Sequence, residues 1–132
     1  MVLISLLNLS QAQIHVASTL THYGDEVLIL GFIESSYRDN LPVGPAGEIG
    51  VLQVTPPAYE TVIKSNPDYD RNTLSYTEAG AIYFKRLSQK HGLKKAIIAY
   101  NAGEGRIDNP PESTKNYLFK FMSLYNLCNM GE

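Results

Sequence analysis

The apolar residues of this chain recur mainly at helical spacing, and Gly, Pro and capping residues separate the apolar segments. One segment is different, because Val27 to Ile33 contains no polar side chain. That run predicts a helix over residues 26–35 that is buried on all sides, with Asp25 as its N-cap. The other predicted helices run from the capping box Ser10-x-x-Gln13 to Gly24, from Thr55-Pro56-Pro57 to Asn66-Pro67, from the capping box Ser75-x-x-Glu78 to Gly92, from Leu93 to Tyr100, and onward from Pro110-Pro111.

A stretch rich in chain-breaking residues interrupts the helical pattern. Residues 37–55 contain Pro42, Gly44, Pro45, Gly47 and Gly50, which predicts a loop or a small irregular hairpin. We therefore expect an α+β fold that is predominantly α-helical, with at most one small β-hairpin or sheet. The chain of 132 residues suits one domain spanning residues 1–132.

Composition narrows the possible functions. The chain is 44% hydrophobic and 18% charged, which is typical of a globular protein. A net charge of −2 without a Lys/Arg cluster gives no basis for nucleic-acid binding. No stretch approaches the roughly 20 apolar residues of a membrane span. The three His residues are scattered and Cys128 is the single cysteine, so we expect no metal and no cofactor.

The first twelve residues combine an apolar segment with small residues, as a signal peptide does. They lack a basic n-region and fall short of the usual minimum of about 15 residues. We therefore expect a packed N-terminal segment rather than a convincing export signal.

Glu34 is the candidate with the most specific chemistry, because it closes the apolar helix. A carboxyl at the end of a buried helix is costly unless it is paired, hydrogen-bonded or protonated. Burial raises the pKa of such a carboxyl, and the protonated group can act as a general acid near neutral pH. The alternative is that Glu34 simply emerges into solvent at the helix end.

Four short motifs, in this order, make the chain resemble the lytic transglycosylase catalytic domain of the SLT type, which is similar to goose-type lysozyme. They are Glu34-Ser35, Gly50-Val51-Leu52-Gln53, Ala99-Tyr100-Asn101-Ala102-Gly103 and Asn116-Tyr117. The resemblance covers roughly residues 25–125. It departs from the family at Leu52, where Met is usual, and at Ser113, which stands where the family often has Glu. Glu112 lies one position early, so a role for it is doubtful.

The resemblance implies a lysozyme-like fold and cleavage of peptidoglycan glycan strands. It implies that Glu34 is first a general acid and then a base, while the 6-hydroxyl of N-acetylmuramic acid attacks its own anomeric carbon. It also implies that five residues bind substrate or support the acid: Ser35, Gln53, Tyr100, Asn101 and Tyr117. Each of the five also has a structural alternative. The amides of Gln53 and Asn101 could stabilise turns, the two tyrosines could be core aromatics, and Ser35 could hydrogen-bond locally or only cap the helix end.

Two other functions remain open. A hydrolytic goose-type-like muramidase needs a second carboxylate, and Asp39 and Glu48 are the nearest in sequence, although each is more readily a solvated loop charge. A non-catalytic glycan-binding wall protein is the third possibility.

The expected substrate lies in the bacterial cell wall, in the periplasm or outside the cell. We therefore expect delivery by a phage particle or by secretion or conjugation machinery.

Overall fold

The computed structural model describes residues 2–130, and within them the chain forms seven α-helices and two short 3₁₀ turns. The helices are α1 (Val2–Leu6), α2 (Gln11–Leu20), α3 (Asp25–Ser35), α4 (Pro56–Ser65), α5 (Tyr76–His91), α6 (Leu93–Ala102) and α7 (Glu112–Met130), and the 3₁₀ turns are Thr21–Tyr23 and Glu104–Arg106. In the described part of the chain, β-pairing is limited to one antiparallel bridge between Ile49 and Val54. The predicted, predominantly helical fold with at most one small sheet is therefore confirmed.

Local sequence signals explain most helix ends. The hydroxyl of Ser10 accepts a bond from the Gln13 backbone, and the Gln13 side chain accepts one from the Ser10 backbone, which is the predicted capping box. Ser75 caps α5 by accepting a bond from the Glu78 backbone at 3.0 Å. Helix α6 runs to Ala102, two residues beyond the predicted end at Tyr100.

The predicted N-cap of α3 is wrong. The N-cap is Gly24, with φ 103° and ψ 169°, and Asp25 is the first residue of the helix. Gly24 directly follows the 3₁₀ turn Thr21–Tyr23, so this one residue ends that turn and begins α3. An N-cap residue has a non-helical backbone, and Gly24 already occupies that position. Asp25 therefore lies in the first turn of α3, where its charge is near the positive end of the helix dipole.

Helix α3 lies at the centre of the fold, as its apolar run predicts. Residues 27–31 of this helix are all buried, and α3 packs against α2 and α7. A second layer forms where α5 packs against α4 and α6. Leu3 is buried in the same core, where α1 contacts α7.

A close contact fixes the turn that carries Gln53 against α5. A Cβ atom on Gly80 would lie 2.6 Å from Val54 Cγ2 and 3.1 Å from the Leu52 side chain. Only glycine allows this approach without displacing the turn. The turn therefore has a fixed position relative to α5, and through α5 to α6.

Candidate active site

The C-terminal end of α3 is built to stop abruptly, and this places Glu34 in the last turn. Ser36 adopts a left-handed conformation with φ 53°, and its N–H donates to the Phe32 carbonyl at 2.8 Å. Tyr37 then folds back into the core, where its hydroxyl donates to the Leu28 carbonyl at 2.8 Å. Ser35 also points inward, because its buried hydroxyl donates to the Gly31 carbonyl at 3.0 Å.

Glu34 is partly buried and has one hydrogen-bond donor among the described residues. The hydroxyl of Tyr117, on α7, donates to Glu34 Oε2 at 2.6 Å. Burial raises the pKa of Glu34 to about 7; the bond from Tyr117 opposes the rise, and the nearby charge of Glu48 adds to it. At neutral pH a substantial fraction of Glu34 therefore carries a proton that it can donate.

Tyr100 is close to this carboxyl but bonds elsewhere. Its hydroxyl donates to the Leu52 carbonyl at 2.5 Å, which ties α6 to the turn that carries Gln53. Burial raises the pKa of Tyr100 well above its usual value, and the charge of Glu34 contributes to the rise. Tyr100 therefore holds the Gln53 turn in position. It lies close enough to Glu34 for the two groups to interact electrostatically, but it does not donate a hydrogen bond to that carboxyl.

A cavity of about 200 Å³ lies beside these groups, and we call it the Gln53 cavity. Its lining includes three residues predicted for the site, and the full set is Gln53, Val54, Thr55, Ala58, Tyr83, Ala99, Tyr100, Asn101 and Gly103. The volume is below the roughly 300–1,000 Å³ of pockets for drug-sized ligands, so it suits a single small group rather than a whole oligosaccharide. Glu34 and Tyr117 do not line this cavity, although Tyr100 lies near both regions.

Gln53 has a strained backbone and a side chain that folds onto its own turn. Its φ is 51°, which is uncommon for a residue other than glycine. One N–H of its amide donates to the Gly50 carbonyl at 2.9 Å. The turn-stabilising role that the sequence left open is therefore present, and the residue lines the cavity at the same time.

Asn101 is held by a residue that the sequence did not single out. The hydroxyl of Thr114, which is only 1% exposed, donates to Asn101 Oδ1 at 2.8 Å. This bond joins the end of α6 to the first turn of α7. Thr114 lies two residues before the Asn116-Tyr117 motif, and the local pattern did not distinguish it from other polar helix residues.

The other carboxylates differ in their surroundings. Glu48 Oε1 accepts a bond from the Ala46 N–H at 2.7 Å, and a Cβ on Gly44 would collide with this side chain. Asp39 is exposed beside Arg38, and Glu112 is exposed with Lys115 at 3.7 Å. Of these three carboxylates, Glu48 is the one whose charge contributes to the raised pKa of Glu34.

The described residues contain no group of three or more His, Cys, Asp or Glu side chains that could hold a metal ion. Within the same part of the chain, no helix has both the length and the apolar character needed to cross a membrane. Cys128 is buried in the core.

The chain folds mostly into helices and has a partly buried glutamic acid at the end of a central helix, which agrees with the class of lysozyme-like domains. Within that class, the transglycosylase SLT domain family matches residues 16–122, and the chain belongs to this family. Membership supports a peptidoglycan lytic transglycosylase-type activity at the level of the family, with the cell wall as its place of action. No curated protein and no solved structure matches the chain.

Proposed function

We propose that this protein is a peptidoglycan lytic transglycosylase that cleaves the β-1,4 bond between N-acetylmuramic acid and N-acetylglucosamine. The products would end in 1,6-anhydro-N-acetylmuramic acid. The observation that carries the proposal is the carboxyl of Glu34, whose pKa is raised to about 7 and which accepts a bond from Tyr117.

In the first step, protonated Glu34 donates its proton to the glycosidic oxygen. The bond between that oxygen and the anomeric carbon of N-acetylmuramic acid breaks, and N-acetylglucosamine leaves with a new hydroxyl. Positive charge develops at the anomeric carbon, as in other glycosidases. Glu34 is then a carboxylate next to this centre.

In the second step, the 6-hydroxyl of the same N-acetylmuramic acid ring attacks its anomeric carbon. Glu34 takes up the hydroxyl proton as the new carbon–oxygen bond forms, which returns it to its starting state. No water is consumed, so one carboxyl is enough. The pKa near neutrality suits both roles, because a group that donates and then accepts a proton works best near the ambient pH.

The supporting residues divide into two groups. Tyr117 orients the acid directly, while Ser35 strengthens the last turn of α3 through its bond to Gly31. Asn101 and Gln53 line the Gln53 cavity, and side-chain amides can bond to sugar hydroxyls and N-acetyl groups. Tyr100 holds the Gln53 turn in place.

A hydrolytic muramidase is the second candidate, and Glu48 is the observation in its favour. Its carboxylate is fixed by the Ala46 N–H and lies near enough to Glu34 to raise the pKa of that acid. A carboxylate in that position could hold a water for attack on the anomeric carbon. Asp39 is exposed and is not among the groups that shift the pKa of Glu34, so we propose Glu48 as the carboxylate that would hold the water in this alternative.

Mass spectrometry of digested peptidoglycan separates the two candidates. Anhydro ends have no reducing group and are one water lighter than hydrolysis products, and we expect them to predominate. Glu48→Gln should leave the type of end unchanged, with Asp39→Asn as the matched control in the same loop region. Predominant reducing N-acetylmuramic acid ends would show that the protein is a hydrolase. Delivery by a phage particle or by secretion machinery stays a prediction.

A further inference from the structure

A three-residue ionic cluster joins the end of α5 to the turn that follows α6. His91 Nε2 lies 2.7 Å from Glu104 Oε2, and Lys90 Nζ donates to the same oxygen at 3.1 Å. Lys90 and His91 are the last two residues of α5, whereas Glu104 begins the 3₁₀ turn after Gly103. These contacts lower the pKa of Glu104, which keeps it charged at neutral pH.

The other polar contacts of residues 103–109 are mainly short-range bonds within the segment, and Ile107 packs against the hydrophobic core. Arg106 donates from its backbone to Gly103 and from Nε to the Asn109 carbonyl, and both bonds stay within the segment. Among the described residues, the side-chain hydrogen bonds that leave this segment for another helix all involve Glu104. Glu104 is therefore the residue of this segment whose side chain bonds it to α5.

This segment forms one edge of the Gln53 cavity, and α5 forms another. Gly103 directly precedes Glu104 and lines the cavity, as does Tyr83 of α5. Burial raises the pKa of Tyr83, and the charge of Glu104 adds to the rise, so the two side chains are neighbours. The ionic cluster thus joins two elements that both line the cavity.

We propose that Glu104 is a positioning residue that holds the Gly103 edge of the Gln53 cavity against α5 and thereby sets the affinity for an N-acetylated sugar. It does not touch the reacting atoms. Exposed ion pairs contribute little to global stability, so its contribution should appear in binding rather than in folding. This inference rests on the proposed function, because it assumes that the cavity receives a sugar group.

The test measures binding without turnover, in a Glu34→Gln background. N-acetylglucosamine tetramer is titrated into the protein, and the amide signals of Gly103 and Gly105 are followed by NMR. Adding Glu104→Gln should raise the dissociation constant by about twofold to fivefold and shift both glycine signals in the free protein. Glu60→Gln is the matched control, because it breaks an exposed ion pair, with Arg71, that lies outside the cavity.

Kinetics of the single variant Glu104→Gln provide the second readout. KM should rise while kcat and its pH profile stay the same, since the acid itself is not altered. His91→Ala removes the contact from the opposite side and should reproduce the effect, which covers the case that the Glu104 variant folds poorly.

Two failures are distinguishable. If the Glu34→Gln parent binds no tetramer, the proposed function is wrong. If the parent binds and the Glu104 and His91 variants bind equally tightly, or if kcat falls as much as KM rises, the positioning role is wrong while the proposed function stands.

Discussion

Glu34 and Glu104 both lie near the Gln53 cavity, yet their pKa values shift in opposite directions. Burial raises the pKa of Glu34 to about 7, and its bonded partner is the neutral hydroxyl of Tyr117. Glu104 lies largely in solvent, and bonds to His91 and Lys90 lower its pKa. The ionised form of the carboxyl is therefore disfavoured at Glu34 and favoured at Glu104.

The comparison shows that the surroundings of a glutamate decide which chemical role its carboxyl can have. A carboxyl without a cationic partner retains its proton to higher pH and can serve as an acid. A carboxyl whose pKa is lowered by bonds to His91 and Lys90 is an anion at neutral pH and serves to bind or position. Substitutions of Glu34 and of its partner Tyr117 test this contrast, and the largest effect is expected at Glu34.

Glu34→Gln should lower the rate of peptidoglycan cleavage by at least roughly 10²-fold, the lower limit for loss of acid–base catalysis. The amide keeps the size of the side chain and can still accept the Tyr117 hydrogen bond, but it has no transferable proton. Turbidity loss of purified cell walls measures the rate, with Asp39→Asn as a control that removes an exposed carboxylate. Clearance at more than a tenth of the parent rate would exclude Glu34 as the acid.

The same variant should be more stable than the parent, and increasingly so as the pH rises. Below pH 4.5 the carboxyl is protonated in both folded and unfolded chains, so the substitution costs or gains little through ionisation. Between pH 4.5 and about 7 the unfolded chain ionises while the folded chain retains its proton, which destabilises the parent.

Because one pKa unit corresponds to about 1.4 kcal/mol, the relative gain in unfolding free energy should approach about 3 kcal/mol at pH 8. Urea denaturation of both proteins at pH 4, 6 and 8 measures this difference in the free energy of unfolding. A difference that stays constant over this range would show that the pKa of Glu34 is not raised by folding.

Tyr117→Phe should have a smaller effect, a loss of activity of about tenfold, because the hydroxyl orients the acid and does not supply the proton. The hydrogen bond from Tyr117 also lowers the pKa of Glu34. Its removal should therefore shift the decline in activity at high pH to a higher pH. The pH dependence of kcat/KM measures both effects, with Tyr69→Phe, on the loop between α4 and α5, as a control. An unchanged rate and profile would leave Tyr117 as a core aromatic.

The helix boundaries could be predicted because their signals are local. Ser10, Ser75 and Gly92 act on backbone groups within a few residues, so the sequence nearby is sufficient. Asp25 failed as a cap because the position depends on how the preceding 3₁₀ turn ends, and Gly24 already fills that role. One residue can satisfy two helix ends at once, and sequence spacing does not reveal this.

The site was predictable only in part. Glu34 and Tyr117 are 83 positions apart, so their contact could be expected from family resemblance but not from spacing. The bond from Thr114 to Asn101 and the cluster around Glu104 depend on how α5, α6 and α7 pack, which local patterns do not specify. Gln53 was expected at the cavity, but its bond to Gly50 depends on a backbone angle that its residue type disfavours.

A pH titration of the glutamate side-chain carboxyl carbons by ¹³C NMR tests the contrast between Glu34 and Glu104 most directly. Assignment comes from the Glu34→Gln and Glu104→Gln variants, each of which removes one signal. The account predicts a midpoint near pH 7 for Glu34 and a midpoint below the ordinary value of 4.5 for Glu104. A Glu34 midpoint near 4.5 would contradict it, because the carboxyl would then be ionised at neutral pH and could not act as the general acid.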